Sequence, residues 1–114
     1  MDSLVGPLLD LREPPTALVV PGDWQAIGVY RYLQSKGIRI PQDISVIGFD
    51  NAEQICCSLS PALTSLEYPS EEIGRQAARL LLRQVKEKKN VVQETILIPS
   101  TLVERESAGR IVDC

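Results

Sequence analysis

Two places in this 114-residue chain carry residues with chemistry to offer. One is Asp50, which ends the apolar run Ser45-Val46-Ile47-Gly48-Phe49; the other is Asp23, which follows Pro21-Gly22 and precedes Trp24, the sole tryptophan. An ionised carboxylate at the carboxyl end of a strand can meet a ligand hydroxyl, and an indole offers an aromatic face for stacking. Each residue also has a plainer use. Asp50 can cap the segment that follows it, Asp23 can act as an N-cap accepting from the free N–H groups of Gln25 or Ala26, and Trp24 can pack at a helix start or a subunit contact. Catalytic chemistry is poorly supplied. The chain has no histidine, which removes the commonest general base and metal ligand at neutral pH and excludes a Ser–His triad. Cys56, Cys57 and Cys114 lack the C-x-x-C spacing of zinc or redox work. They read as reduced thiols, Cys56 and Cys57 as small buried hydrophobes. With no phosphate-binding Gly-rich loop and no paired acid/base carboxylates, binding is expected rather than catalysis, without cofactor or metal.

The bulk properties narrow the partners. A composition of 44% hydrophobic and 24% charged residues is that of a soluble globular domain. The net charge of -3 gives no basic field for a phosphate backbone, so nucleic acid is not expected to bind these residues directly. No apolar run approaches the roughly 20 residues of a membrane span, and Met1-Asp2-Ser3-Leu4 lacks a basic secretory start. A cytoplasmic location without membrane association is expected.

The candidate residues must be placed by the elements around them. Residues 1–11 contain Gly6-Pro7 and read as the tail of a helix. After Pro14-Pro15, Thr16 to Val20 reads as a first buried strand closed by Pro21-Gly22-Asp23, and Trp24 to Ser35 as a helix with Ala26, Ile27, Tyr30 and Leu33 at helical spacing and Gly37 as its stop. Ile38 to Asp43 is a connector, because Pro41 bars both a helix interior and a central strand. Ile44 to Phe49 is a second buried strand. Residues 16–49 are thus one βαβ unit with parallel strands, and Gly22-Asp23 and Asp50-Asn51 line one rim. In open α/β sheets that rim is where ligands bind. Beyond it, Glu53 to Leu59 reads as a short helix and Leu63 to Tyr68 as a third strand. From Ser70 an amphipathic helix carries Ile73, Ala77, Leu80 and Leu81 on one stripe, with Arg75, Arg79 and Arg83 on a solvated face. Glu71 and Glu72 in its first turn and Lys86, Lys88 and Lys89 near its end suit the helix dipole. Lys88-Lys89-Asn90 is a turn. Glu94 to Ile98 and Thr101 to Glu106, separated by Pro99-Ser100, read as strands or one bent strand.

The order of short motifs is more specific than any one of them. Pro15-Thr16-Ala17, Asp23-x-x-Ala26-Ile27-Gly28, Gly37-x-x-x-Pro41-x-Asp43-x-Ser45-Val46-Ile47-Gly48-Phe49-Asp50, Ser60-Pro61-x-Leu63-Thr64-Ser65, Ile73-Gly74-x-x-Ala77 and Pro99-x-x-Leu102-Val103-x-Arg105-Glu106-Ser107 follow one another. This succession, over residues 14–108, resembles the effector-binding domain of LacI/GalR-type bacterial transcription regulators.

The resemblance implies an α/β fold with a parallel, three-layer, Rossmann-like sheet, as the C-terminal fragment of a two-lobed periplasmic-binding-protein-like domain. It implies a leading segment (1–13), a C-terminal-lobe βαβ region (14–66), a helix belonging to the N-terminal lobe (67–95), a returning strand (96–108) and a tail (109–114), with the helix-turn-helix DNA-binding domain absent. Asp50 falls on the position that hydrogen-bonds an effector hydroxyl in sugar-responsive members. Gly22 replaces an Asn that commonly touches the ligand, and Asp23 and Trp24 complete the expected ligand-binding set. The family's dimer surface would place Ile27, Tyr30, Arg31, Gln54, Ile55 and Cys57 near a partner chain, with Ile27 and Ile55 as ordinary core the alternative. The implied function is effector sensing and dimerisation: a small polar ligand, a sugar or a nucleoside-like molecule, modulates operator binding through a domain outside this chain. The alternative is a solute-binding receptor for transport with the same two-lobed architecture.

Overall fold

The structure, a computed structural model, describes residues 3–87 and 93–110. The elements run α1 (Gly6–Leu9), β1 (Ala17–Val19), α2 (Asp23–Ser35), β2 (Ser45–Asp50), α3 (Glu53–Ser58), β3 (Thr64–Glu67), α4 (Ser70–Lys86) and β4 (Thr101–Val103). They form a four-stranded sheet in the order β1-β2-β3-β4. β1 pairs in parallel with β2 (Leu18 opposite Val46), and β2 in parallel with β3 (Asp50 opposite Glu67). β4 closes the sheet antiparallel to β3, Thr101 opposite Glu67. Because β1 and β2 are joined through a helix and run parallel, their carboxyl ends share one rim, as the βαβ reading expects.

The chain divides into two compact units, Met1–Glu67 with Thr101–Cys114, and Tyr68–Ser100. In the first, Ala26, Val29, Tyr30 and Leu33 of α2 are buried with Val46 of β2, Ile44 and Leu63. Burying each of the larger apolar side chains contributes about 1.5–3 kcal/mol, so this cluster fixes α2 on the sheet. α2 ends where its sequence says it must. The Gly37 N–H donates to Gln34 O and the Ile38 N–H to Leu33 O, both at 3.0 Å, with Gly37 at φ 73°. That pair of bonds is a Schellman stop, which requires a left-handed residue.

Three expectations are corrected. β1 is the edge of the sheet, and Ala17 and Val19 are exposed on it, so it is not a buried strand. Asp23 does not cap α2 with its side chain: the N–H groups of Gln25 and Ala26 go to the Gly22 carbonyl, and the Asp23 side chain turns inward. No strand forms over Glu94 to Ile98, because no strand among the described residues pairs with it; β4 is confined to Thr101–Val103.

In the second unit α4 has no buried residue. Ile73, Gln76, Ala77 and Leu80 face Ile96, Leu97 and Ile98 across a cleft of about 390 Å³, while Leu81, Leu82 and Val85 are exposed. Arg75 pairs with Glu71 (2.7 Å) and Glu72, and Arg83 with Glu94. The expected turn Lys88-Lys89-Asn90 lies outside the described residues, as does Cys114.

Candidate functional site: the rim at the ends of β1 and β2

The rim is built around a carboxylate that is wholly inside. Asp23, the first residue of α2, has no exposed surface. Its Oδ2 accepts from the Ala52 N–H (2.7 Å) and the Cys56 thiol (3.3 Å), and its Oδ1 from the Ser65 hydroxyl (2.7 Å). One side chain thus joins the start of α2, the turn after β2, α3 and β3. Gly48 makes the approach possible, since a Cβ there would stand 2.1 Å from Asp23 Oδ1 and 2.9 Å from Leu63 Cδ2. Burial, then the bond to Asp23, pushes the Cys56 thiol up to about 11. Cys56 is therefore a protonated donor at neutral pH, in keeping with its reading as an inert buried residue. Cys57 is exposed.

Asp50 is the opposite case. It is exposed, and its backbone takes φ 103°, followed by Asn51 at φ 53°. Holding a non-glycine residue in that region costs on the order of 1–3 kcal/mol, a cost tolerated only where the surroundings over-determine the backbone. Here they do. The Asn51 N–H donates to Ser65 Oγ (3.1 Å), the Ala52 N–H to Asp23, and Asn51 Oδ1 accepts from the Arg105 guanidinium (2.7 Å). Arg105 is itself anchored. Its second guanidinium nitrogen donates to Leu63 O (2.8 Å) and its backbone N–H to Thr64 Oγ1 (2.9 Å).

Gly22 lies beside Asp50: a Cβ at this residue would be 3.5 Å from Asp50 Oδ2 and 2.5 Å from Gln25 Oε1. Its backbone is extended, at φ -167° and ψ 150°, so any residue could adopt it. What glycine supplies is room for the Gln25 amide oxygen beside the carboxylate, and Gly22 itself is buried. Trp24, one helical residue further, is 73% exposed. Gly22, Trp24 and Asp50 thus sit at the ends of β1 and β2, while Asp23 is turned beneath them.

The six residues expected near a partner chain separate by burial. Tyr30 is 2% exposed, with its hydroxyl donating to Pro61 O at 3.0 Å. Burial, the largest influence, pushes it up to about 12. Ile55 is also buried, which matches the ordinary-core alternative for it. Ile27 is half-buried, and Arg31, Gln54 and Cys57 are exposed. Sequence reasoning missed Ser65, Arg105 and Ser107. Ser107 is fully buried, its hydroxyl donating to Val46 O and accepting from the Thr64 N–H, so it bridges the beginnings of β2 and β3. Arg105 and Ser107 stand in the quoted motif Arg105-Glu106-Ser107, which was the available signal. Among the described residues no cluster of His, Cys, Asp or Glu could hold a metal ion, and no helix is long and apolar enough to cross a membrane.

Residues 3–108 match the model of the periplasmic binding protein-like domain. The chain is 40% identical over 108 residues to the HTH-type transcriptional repressor PurR of Photorhabdus laumondii, covering 93% of this chain and 31% of that protein. Among solved structures it is similar to a LacI family transcriptional regulator from Enterococcus faecalis with bound ribose. The TM-score is 0.72 at 34% identity, over 93% of this chain and 38% of the other. It is also similar to a complex of the transcriptional regulator CelR with cellobiose, with a TM-score of 0.67 at 28% identity over 82% and 28% of the two chains. The chain spans 24% to 31% of the length of the first curated relatives it matches.

Proposed function

Because the chain belongs to the periplasmic-binding-protein-like family of LacI/GalR-type transcription regulators, we propose that it is the effector-sensing part of a cytoplasmic, non-enzymatic regulator of this kind. Its effector is a small polar molecule, a sugar or a nucleoside-like compound, met by the rim of β1 and β2. The observation that carries this reading is Asp50: an exposed carboxylate held in left-handed backbone on the rim at the end of β2. Strain of that kind persists where a side chain must be presented. The complexes of similar regulators with ribose and cellobiose support a polyol as the chemical class. Asp23 acts from beneath as support, and Trp24 offers its indole face to the ligand ring.

In this reading β3 leaves the C-terminal lobe at Glu67 and β4 returns to it at Thr101, and Tyr68–Ser100 belongs to the N-terminal lobe. A partner subunit docks on the exposed residues Arg31, Gln54 and Cys57 with Ile27 beside them, Tyr30 and Ile55 supporting that surface from within. Operator DNA is bound by a helix-turn-helix domain outside these residues. The ligand regulates it by binding one lobe arrangement better than the other, since equal affinity would shift nothing.

Calorimetric titration of the chain, and of a longer chain carrying both lobes, with ribose, cellobiose and a panel of nucleosides tests the reading. Asp50→Ala is expected to weaken uptake of the ligand that binds by about 10- to 100-fold, the worth of one or two hydrogen bonds to a charged group, with the urea midpoint unchanged. An unchanged affinity would overturn the role of Asp50.

A further inference from the structure

The turn from Asp50 to Ala52 is held by three separate segments, and one of them comes from far along the chain. Asp23 takes the Ala52 N–H and Ser65 takes the Asn51 N–H, both from beneath the turn. Arg105 takes the Asn51 side chain. Its guanidinium spans from Leu63 O (2.8 Å) to Asn51 Oδ1 (2.7 Å), a planar fork with one prong on the residue before β3 and the other on the rim. Its own backbone is tied to Thr64 Oγ1, so the fork is fixed at its base. Asn51 is the second of two consecutive non-glycine residues with positive φ, at 53° after 103° for Asp50. Such a conformation persists where the surroundings over-determine it, and the bond from Arg105 to Asn51 is one of the contacts that do so.

We infer that Arg105 is a positioning residue for Asp50: by gripping Asn51 it locks the left-handed turn that presents the Asp50 carboxylate to a ligand. The inference rests on the reading of Asp50 as the effector contact. A lysine cannot replace this arginine, because its single ammonium lacks the planar fork that reaches two acceptors at fixed spacing. The distance along the chain between positions 51 and 105 gives the device a consequence. The residues just before Arg105 are β4, so a change in the path of that strand is transmitted to the turn through one guanidinium.

Amide hydrogen exchange read by NMR on the full chain without ligand is the direct test. In Arg105→Lys, exchange at Asn51 and Ala52 is expected to rise about tenfold, while Val20, bonded to Ile47 O at a distance from the turn, keeps its parent rate. Asn51→Gly keeps the backbone conformation but removes the acceptor, and is expected to loosen Ala52 to the same degree, with no further loss when combined with Arg105→Lys. Asn51→Asp, which retains an oxygen for the guanidinium, is expected to keep the parent protection. Unchanged exchange at Asn51 and Ala52 in Arg105→Lys would overturn the inference, and so would a rise at Val20 by the same factor, which would make Arg105 merely structural. With ribose as probe, Arg105→Lys is expected to bind about tenfold more weakly than Asn51→Asp; equal affinities would count against positioning. A parent chain that takes up no ribose removes ribose as effector, and the ligand-free exchange result then decides the role of Arg105 alone.

Discussion

The two strand ends at the rim each carry an aspartate, and the two are used in opposite ways. At the end of β1, Asp23 is wholly buried and both its oxygens are consumed by Ala52, Cys56 and Ser65. At the end of β2, Asp50 is exposed on a backbone that its residue type disfavours. Buried polar groups are retained where every partner is satisfied, whereas strain in an exposed residue is stability given up locally. The first aspartate holds the rim together; the second is what the rim holds out. Position at a strand end does not separate them, and burial and backbone conformation do.

The contrast is broken most severely at Gly48. A methyl group there would meet Asp23 Oδ1 at 2.1 Å and Leu63 Cδ2 at 2.9 Å, so Gly48→Ala must drive the carboxylate off its three donors or shift the two strands. Leaving buried donors unpaired costs about 1–3 kcal/mol each. A loss of about 3 kcal/mol in urea unfolding is expected, and a midpoint within experimental error of the parent would show that Asp23 is not the fastening described.

Tyr30 extends the buried side of the comparison along α2, and its effect is smaller. Tyr30→Phe removes the hydroxyl that donates to Pro61 O and is expected to lower stability by about 1 kcal/mol at pH 7. The pH dependence gives a sharper readout. Folding raises this phenol from an ordinary value of 10.0 to about 12, so the folded chain holds the proton more tightly than the unfolded one. The associated stability is fully present below pH 10 and is lost as pH rises from there through about 12. Parent stability is expected to fall across that window by more than that of Tyr30→Phe. Parallel curves would mean that the hydroxyl is solvated in the folded chain.

How much of this was legible in the sequence depended on whether the signal was local. The βαβ order, the Gly37 stop and the position of Asp50 at a strand end follow from periodicity, turn residues and chain direction, all of which act over a few residues. The fate of Asp23 did not, because an aspartate at a helix start reads as a cap, and the donors that draw it inward lie 29 to 42 residues away at Ala52, Cys56 and Ser65. Arg105 was missed for the same reason: its partner Asn51 is 54 residues off. α4 shows the converse. Its stripe was the strongest helical pattern in the chain and the helix is present, yet no residue of it is buried, since periodicity fixes which face is apolar and says nothing of what covers it. Glu94 to Ile98 does not form the expected strand because strand formation needs a neighbour, and none of the described residues supplies one.

The smallest expected effect on stability is the most telling for the exposed aspartate. Asp50→Gly removes the strain of φ 103°, worth on the order of 1–3 kcal/mol, but glycine adds backbone freedom to the unfolded chain worth roughly 0.5–1 kcal/mol. With the strain at about 1 kcal/mol, the low end of its range, the balance is a gain of up to about 0.5 kcal/mol. Asp50→Ala keeps the strain and gains nothing, so the difference between the two variants isolates the backbone contribution from the carboxylate. If Asp50→Gly is more stable than Asp50→Ala while both lose ligand uptake alike, the carboxylate is held at a cost to stability for the sake of contact. Were Asp50→Gly the less stable of the two, the carboxylate or its backbone would be supporting the fold after all, and the division between the two strand ends would fail at this residue.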